Sequence, residues 1–197
     1  MPIAFYAPLK PPHHQVPSGD RQMGRLLLLG LERAGFAPAL ASSLRIYLPK
    51  GDEGLDDLQA TADIEVQRLL AAYGSGAETR PQLWFTYHSY YKSPDLIGPA
   101  IARDLQIPYV TAEASHAPKR ADGPWAKAHR INQDVLRNAN LNFYFTERDH
   151  QGLTNLLADE SKVYPLPPFL DVDLIPERTA WQTGTSNPAR LLTVAMM

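Results

Sequence analysis

The sequence contains no cysteine, and this absence removes three classes of protein at once. Without thiols the chain is not a disulfide scaffold, does not hold zinc through thiolates and does not use a cysteine nucleophile. The chain also has no excess of positive charge, because it contains 19 Lys and Arg and 21 Asp and Glu. The basic residues are scattered along the sequence. Since electrostatic binding to nucleic acid needs a basic stripe, the composition argues against a nucleic-acid-binding protein.

Long apolar runs are missing as well. No run approaches the roughly 20 residues that a membrane-spanning helix requires, and the N-terminal segment Met1–Tyr6 lacks the basic and apolar regions of a signal peptide. These features predict a cytoplasmic protein without a membrane span. The 197 residues suffice for one domain, and an apolar content of 44% argues against general disorder, so the 18 prolines should punctuate a folded chain.

Segments with strand-like and helical periodicity alternate about six times along the chain. The predicted strands cover 3–7, 36–42, 82–87, 107–112, 141–146 and 162–166, with a further short strand possible at 44–48, and the predicted helices cover 20–34, 55–73, 94–105, 124–139 and 149–157. This alternation predicts an α/β fold with a doubly wound, Rossmann-like parallel sheet. Pro38 cannot donate to a strand ladder, so its strand is expected at an edge.

The last residues depart from this pattern. Residues 176–189 are polar and rich in Thr, Ser and Pro, which is typical of a linker, and residues 190–197 have the composition of a new apolar strand. We therefore expect a domain over 1–175, a linker over 176–189 and the first strand of a second domain over 190–197. On this interpretation the chain is the N-terminal part of a longer protein.

The ligand crevice of a doubly wound sheet lies beyond the carboxyl ends of its strands, so the loops after Ala7, Tyr87, Ala112 and Thr146 are the candidates for a site. The first of these loops ends in Ser18-Gly19-Asp20, directly before a helix. Free amides and the helix dipole at such a position favour a phosphate, and a glycine allows close approach. The alternative is a plain turn with an N-cap, for which Asp20 is suited.

Two further clusters follow the next strands. His88 ends the segment QLWFTYH and precedes Ser89, Tyr90, Tyr91 and Lys92, a set that suits a polyol or a phosphate. Glu113 and His116 follow the strand ending at Ala112 and precede Lys119 and Arg120; a carboxylate and an imidazole so close together suit acid–base work or binding of sugar hydroxyls. Each cluster is also compatible with ordinary loop chemistry, but two on successive strands favour a site.

Several motifs are absent or weak. The sequence has no GxGxxG, GxxxxGK[ST], GxSxG or HExxH pattern, which argues against dinucleotide, P-loop, α/β-hydrolase and zinc-protease chemistry. His13-His14 is a weak metal pair, and Asp171-Val172-Asp173 matches a metal-binding DxD only in composition, since it lies after the last strand. His129 and His150 fall in predicted helices and are expected at the surface.

The order of these segments resembles the N-terminal domain of a GT-B glycosyltransferase of the large group that includes family 4. The resemblance covers essentially the whole chain and rests on six segments: IAFYAP, the PSGD loop, QLWFTYH, IPYVTAEASH, VYPLPPFLD and RLLTVA. It implies an acceptor-side domain of an enzyme that moves a sugar from a nucleotide-sugar co-substrate to an acceptor hydroxyl without an obligatory metal or other cofactor. The C-terminal domain that holds most of the donor in this family does not follow within these residues, so this piece alone is expected to be inactive.

The resemblance assigns roles to the candidate residues. Ser18, Gly19 and Asp20 are expected at the donor diphosphate, and His88, Glu113 and His116 at the reacting groups. The acceptor would contact five further residues, namely Tyr90, Tyr91, Lys92, Lys119 and Arg120. The alternative from another class is a standalone α/β domain that binds a small ligand or regulates a partner without transfer chemistry.

Overall fold

The computed structural model describes residues 1–174, which form one six-stranded sheet with all neighbouring strands parallel. The predicted linker over 176–189 and the predicted strand over 190–197 lie outside the described residues. The strands are β1 Pro2–Tyr6, β2 Ala37–Leu40, β3 Leu83–Tyr87, β4 Tyr109–Ala112, β5 Leu141–Tyr144 and β6 Val163–Pro165. Their order across the sheet is β2-β1-β3-β4-β5-β6. The prediction of an α/β fold with a doubly wound parallel sheet is confirmed.

Helices connect successive strands and pack on both faces of the sheet. They are α1 Gly19–Arg33, α2 Leu55–Ser75, α3 Gly98–Leu105, α4 Ala126–Asn138 and α5 Glu147–Leu156. Leu27 of α1 packs on the face formed by Ile3 and Phe5, whereas α2, α3 and α4 pack on the opposite face. Since the chain moves one way from β1 to β2 and the other way from β2 onward, right-handed crossovers require this division. Among the described residues no helix is long and apolar enough to cross a membrane.

The core follows from the two-residue period of the central strands. In β1, Phe5 stacks on Phe85 of β3 on the α1 face, with ring centroids 5.7 Å apart. On the other face Tyr6 meets the edge of Trp84 and donates its hydroxyl to the Leu44 carbonyl at 2.8 Å. Burial on both faces, expected for the central strands of a helix-covered parallel sheet, is therefore observed.

Local differences from the sequence prediction have identifiable causes. The strand that contains Pro38 lies at the sheet edge, as predicted. Residues 44–48 do not form a strand, although Ile46 and Leu48 are almost completely buried, because their amides donate to the carbonyls of Pro8 and Lys92 in neighbouring loops. Helix α3 begins at Gly98 rather than at Pro94.

A buried carboxylate fixes the start of α3. Asp95 accepts hydrogen bonds from the amides of Ile97 and Gly98 at 2.9 and 2.8 Å, so it satisfies donors that a helix N-terminus otherwise leaves free. It also accepts from the hydroxyls of Thr86 and Tyr109. A β-carbon at Gly98 would overlap the Asp95 carboxylate, so this position excludes any side chain.

After β6 the chain returns over α1. Phe169 packs against Gly30, and Arg33 near the end of α1 binds Asp171 at 3.0 Å and Asp173 at 2.8 Å. Both carboxylates of the Asp171-Val172-Asp173 motif are thus engaged by a guanidinium. This contact gives the motif a structural role in holding the segment onto the helix.

Candidate functional site

The crevice lies where the sheet changes winding direction, between β1 and β3. The chain leaves β1 for β2 on one side and reaches β3 on the other, and in doubly wound sheets the loops after two such strands form the ligand crevice. Asp20 comes from the region after β1, His88 follows β3, and Glu113 follows β4. The topology therefore brings residues from the three predicted loops to one edge of the sheet.

The first turn of α1 is tied directly to the end of β3. Ser18 is the N-cap, and its hydroxyl accepts from the Arg21 amide at 3.2 Å, so the expectation that Asp20 caps the helix is wrong. Asp20 instead accepts a hydrogen bond from Nδ1 of His88 at 2.9 Å. Gly19 is exposed, and a β-carbon there would meet nothing within 4 Å, which leaves the helix entrance open.

The surroundings of His88 favour its protonated form. Burial alone lowers the pKa of His88, but the hydrogen bond to Asp20 and the negative charges of Glu113 and Asp149 outweigh it, so the pKa lies above its ordinary value. The same hydrogen bond lowers the pKa of Asp20. Tyr87, which precedes His88, has its pKa raised by burial and by the charge of Glu113. The pair is thus a hydrogen-bonded cation and anion in the acidic-to-neutral range.

His88 and Glu113 share an unusual backbone conformation. Their φ angles are 60° and 53°, in the left-handed region that residues other than glycine rarely adopt. Each is the first residue after its strand, and each amide still donates to the neighbouring strand, His88 to Ala112 at 2.9 Å and Glu113 to Phe143 at 3.0 Å. Strain of this kind costs about 1–3 kcal/mol per residue and concentrates at functional sites. It therefore supports these two positions as part of a site.

A buried polar network holds the two loops together. The Ser89 hydroxyl donates to Asn132 of α4 at 2.8 Å, and the Asn132 amide donates to the Ser115 carbonyl at 3.0 Å. The Ser115 amide also donates to the Ser89 carbonyl, and the Asp95 amide donates to the Ser89 hydroxyl. Sequence reasoning named Ser89 only as one of the polar residues after β3, and it missed Asn132, whose only signal is a polar residue on the buried face of a helix.

His116 lies in a different environment from His88. Its ring centroid is 5.1 Å from that of His129, and burial together with the charges of His129 and Arg137 lowers the pKa of His116 to about 4. His129 is 2% exposed, so the prediction that it lies at the surface is wrong. Nδ1 of His116 and Nε2 of His129 are buried and lack a hydrogen-bond partner among residues 1–174. At neutral pH His116 is therefore uncharged and able to accept a hydrogen bond.

A cavity, which we call the basic cleft, adjoins His116 between the loop after β4 and helix α5. Its volume is about 620 Å³. The lining includes the predicted catalytic residue His116 and three of the predicted acceptor residues, Tyr91, Lys119 and Arg120, together with Ser115, Arg148, Asp149, Gln151, Gly152 and Asn155. The remaining predicted acceptor residues lie beside the cleft: Tyr90 packs on the His88 ring at 5.1 Å, and Lys92 lies over the Trp125 ring at 4.9 Å.

Arg120 is held by aromatic rings. Its guanidinium carbon lies 5.1 Å from the centroids of both Tyr91 and Trp125, and these two rings meet edge to face at 5.6 Å. We call Tyr91, Lys92, Arg120 and Trp125 the cation–aromatic cluster. The structure thus gives Lys92 and Arg120 the same support, an indole face, rather than an acidic partner.

Comparison with protein-family models gives no match for this chain, and comparison with curated protein sequences gives none either. The function of the chain is therefore inferred from the geometry of the crevice and the basic cleft and from the resemblance carried by the sequence segments.

Proposed function

We propose that this chain is the acceptor-side domain of a glycosyltransferase that moves a sugar from a nucleotide-sugar donor to an acceptor hydroxyl. The observation that carries the proposal is the pairing of His88 with Asp20 across the β1–β3 crevice, next to a strained Glu113. Donor ligands of doubly wound folds bind at this kind of position, and the open entrance of α1 suits a diphosphate. The resemblance to GT-B enzymes of the family 4 group supports the same assignment.

His88 and His116 would have different roles in the reaction. His88, whose pKa is raised, is the better hydrogen-bond donor to an anionic or developing negative oxygen. His116, whose pKa is about 4, stays neutral and suits an acceptor hydroxyl that needs a partner for its proton. Two groups in one site whose surroundings move their pKa values apart typically serve as its general acid and its general base. Glu113 would orient the transferred sugar or the acceptor through its carboxylate.

A standalone ligand-binding domain is the second candidate. The observation that favours it is the basic cleft, whose lining comes entirely from this chain and needs no second domain for its walls. On this alternative the chain binds a small molecule and performs no transfer. The two candidates differ in one respect that is easy to measure, namely whether a nucleotide sugar is consumed in the presence of acceptor.

The test is a transfer assay on the polypeptide with whatever residues its reading frame encodes after Met197, using a panel of nucleotide sugars. We expect turnover, and we expect His88→Ala and His116→Ala each to lower it by about 100-fold, the scale of losing one positioned polar group. His150→Ala is the matched control, because His150 is a half-exposed histidine stacked on Tyr144 at 4.6 Å. Gly19→Ala should also lower turnover, by hindering approach of the diphosphate.

Thermal melting of the same variants separates chemistry from folding. The expected result is lost turnover with a Tm within about 4 °C of the parent, which corresponds to roughly 1–2 kcal/mol for a domain of this size. Full activity in both histidine variants, or no donor consumed by the polypeptide at all, would contradict the transferase and favour the standalone binding domain. Residues 1–197 alone are expected to transfer no sugar.

A further inference from the structure

The basic cleft concentrates positive charge on a chain that carries a formal net charge of −2. Three cations line it, Lys119, Arg120 and Arg148, against a single acid, Asp149. None of the three cations forms an ion pair with another residue of the described part of the chain. The carboxylate of Asp149 accepts a hydrogen bond at 2.6 Å from the hydroxyl of Thr146, the N-cap of its own helix, rather than from one of these cations.

Arg120 is the most informative of these cations. Its guanidinium is flanked by Tyr91 and Trp125, and its Nε is buried without a hydrogen-bond partner among residues 1–174. Lys92 lies 4.9 Å from the same indole, so two like charges are held on one aromatic side chain. An anion bound in the cleft would supply the hydrogen-bond partner that the buried Nε of Arg120 lacks.

The arrangement of hydrogen-bond donors in the basic cleft indicates which kind of anion it would bind. The guanidinium groups of Arg120 and Arg148 present their donors as a planar fork that matches the oxygens of a phosphate or a carboxylate, and Lys119 adds a point charge at the cleft wall. Ser115, Gln151 and Asn155 supply neutral donors and acceptors suited to hydroxyl groups. The lining therefore fits a polyhydroxylated molecule that carries one compact anionic group.

The position of the cleft relates this molecule to the crevice. His116 lines the cleft, and Asp149, also in its lining, is near enough to His88 for its charge to raise the pKa of that histidine. We propose that the basic cleft binds the anionic group of an anionic, hydroxylated acceptor, a phosphate monoester or a carboxylate of a sugar or polyol, and thereby directs a hydroxyl of it toward His116. The assignment of this molecule as the acceptor rests on the proposed function.

The experiment is an NMR titration of the 197-residue chain with three probes that share one skeleton: glucose 6-phosphate, glucuronate and glucose. We expect glucose 6-phosphate or glucuronate to shift the backbone amides of Ser115 and Gly152 with saturation in the millimolar range, and glucose to give at least tenfold weaker binding. Affinity should fall as salt is raised, because the contacts are charge-based. The two charged probes distinguish a phosphate-carrying from a carboxylate-carrying molecule.

Two variants locate the binding. Arg120→Gln removes the charge and should raise the Kd of the preferred anion by about tenfold, the loss of one charge-assisted hydrogen bond. Arg103→Gln is the matched control, because Arg103 is an exposed arginine near the end of α3, close to the amino ends of the strands, and should leave the Kd within twofold. Arg148→Gln tests the opposite wall of the cleft and should weaken binding in the same direction.

Three results would overturn the inference: equal binding of glucose and its charged analogues, shifts confined to residues outside the cleft lining, or equal effects of Arg120→Gln and Arg103→Gln. Binding only to vesicles that contain anionic phospholipid, with no response to the soluble probes, would also overturn it and would assign the cations to a membrane surface. Failure of the proposed function looks different. Anion binding at the cleft without any consumption of nucleotide sugar would keep the cleft assignment and reject the transferase.

Discussion

Replacing Asp20 with Asn tests the contact that joins the two sides of the crevice. The carboxylate accepts from Nδ1 of His88 at 2.9 Å, and the two side chains are 35% and 21% exposed. A hydrogen bond between charged groups contributes about 1.5–3 kcal/mol, and solvent screening at this exposure reduces it to about 1 kcal/mol. For a domain of this length that loss lowers Tm by about 2–4 °C.

The effect should depend on pH in a defined direction. Because the pKa of His88 is raised in the folded state, its stabilising contribution is complete below its ordinary pKa of 6.5 and is lost as pH rises through the folded value. Because the pKa of Asp20 is lowered, its contribution is present above 3.8 and is lost as pH falls through the folded value. The destabilisation by Asp20→Asn should therefore be greatest between about pH 4 and pH 6.5 and smaller at pH 8.5.

The assay combines melting curves at pH 5.5 and pH 8.5 with an NMR titration of the His88 ring. We expect the pKa of His88 to fall in Asp20→Asn, because the hydrogen bond to Asp20 and its negative charge both raise that pKa. Glu147→Gln is the matched control, since it removes a first-turn carboxylate from a more exposed histidine pair, Glu147 with His150 at 3.3 Å. An unchanged pKa of His88, or the same Tm loss in both variants at both pH values, would refute the reasoning.

Three further predictions concern the elements that support the site. Asp95→Ala leaves buried donors in α3 and β3 without an acceptor. It should lower the free energy of unfolding by about 3–5 kcal/mol and Tm by about 10 °C. A Tm loss under about 3 °C would contradict the role of this network. Because the pKa of His116 is about 4 in the folded state, the free energy of unfolding should decline as pH falls from 6.5 to 4. His116→Asn should reduce that decline in melting curves. A titration midpoint of the His116 ring near 6.5 would be inconsistent with its burial. Gly152→Ala places a β-carbon 2.9 Å from the His116 carbonyl and should cost about 1–2 kcal/mol by chemical denaturation, whereas Gly74→Ala, with nothing within 4 Å, should be neutral or stabilising.

The sheet could be predicted from sequence because its signals are local. Apolar runs such as that of β3 and helical spacing such as that of α2 each appear within about 20 residues, and alternation of the two types leaves few topologies to consider. Pro38 marked the edge strand for an equally local reason, its missing amide hydrogen. The start of α3 was missed because Pro94 is a plausible first residue of a helix, whereas the actual start depends on where the Asp95 carboxylate reaches.

The candidate site could be predicted only as far as strand ends mark it. His88 and Glu113 were found because each follows a buried strand, but their left-handed φ angles have no signal in residue type. The partner of His88 is 68 positions away in the chain, and the partner of Ser89 is 43 positions away, so neither contact follows from local pattern. His129 was misplaced for the related reason that its burial depends on the loop of His116 packing over α4.

The division between His88 and His116 follows from this long-range assembly. The two imidazoles lie on successive strand-end loops that a shared network of Ser89, Asn132 and Ser115 ties together, yet one meets carboxylates and the other meets a second imidazole. Moving their pKa values apart requires different partners within one rigid frame, because a flexible loop would let both rings reach water and recover their ordinary values. The strain at His88 and Glu113 is then the consequence of turning the chain sharply at the strand ends while the ladder hydrogen bonds stay intact. A loop relaxed at His88 would remove its side chain from the crevice and break its hydrogen bond to Asp20.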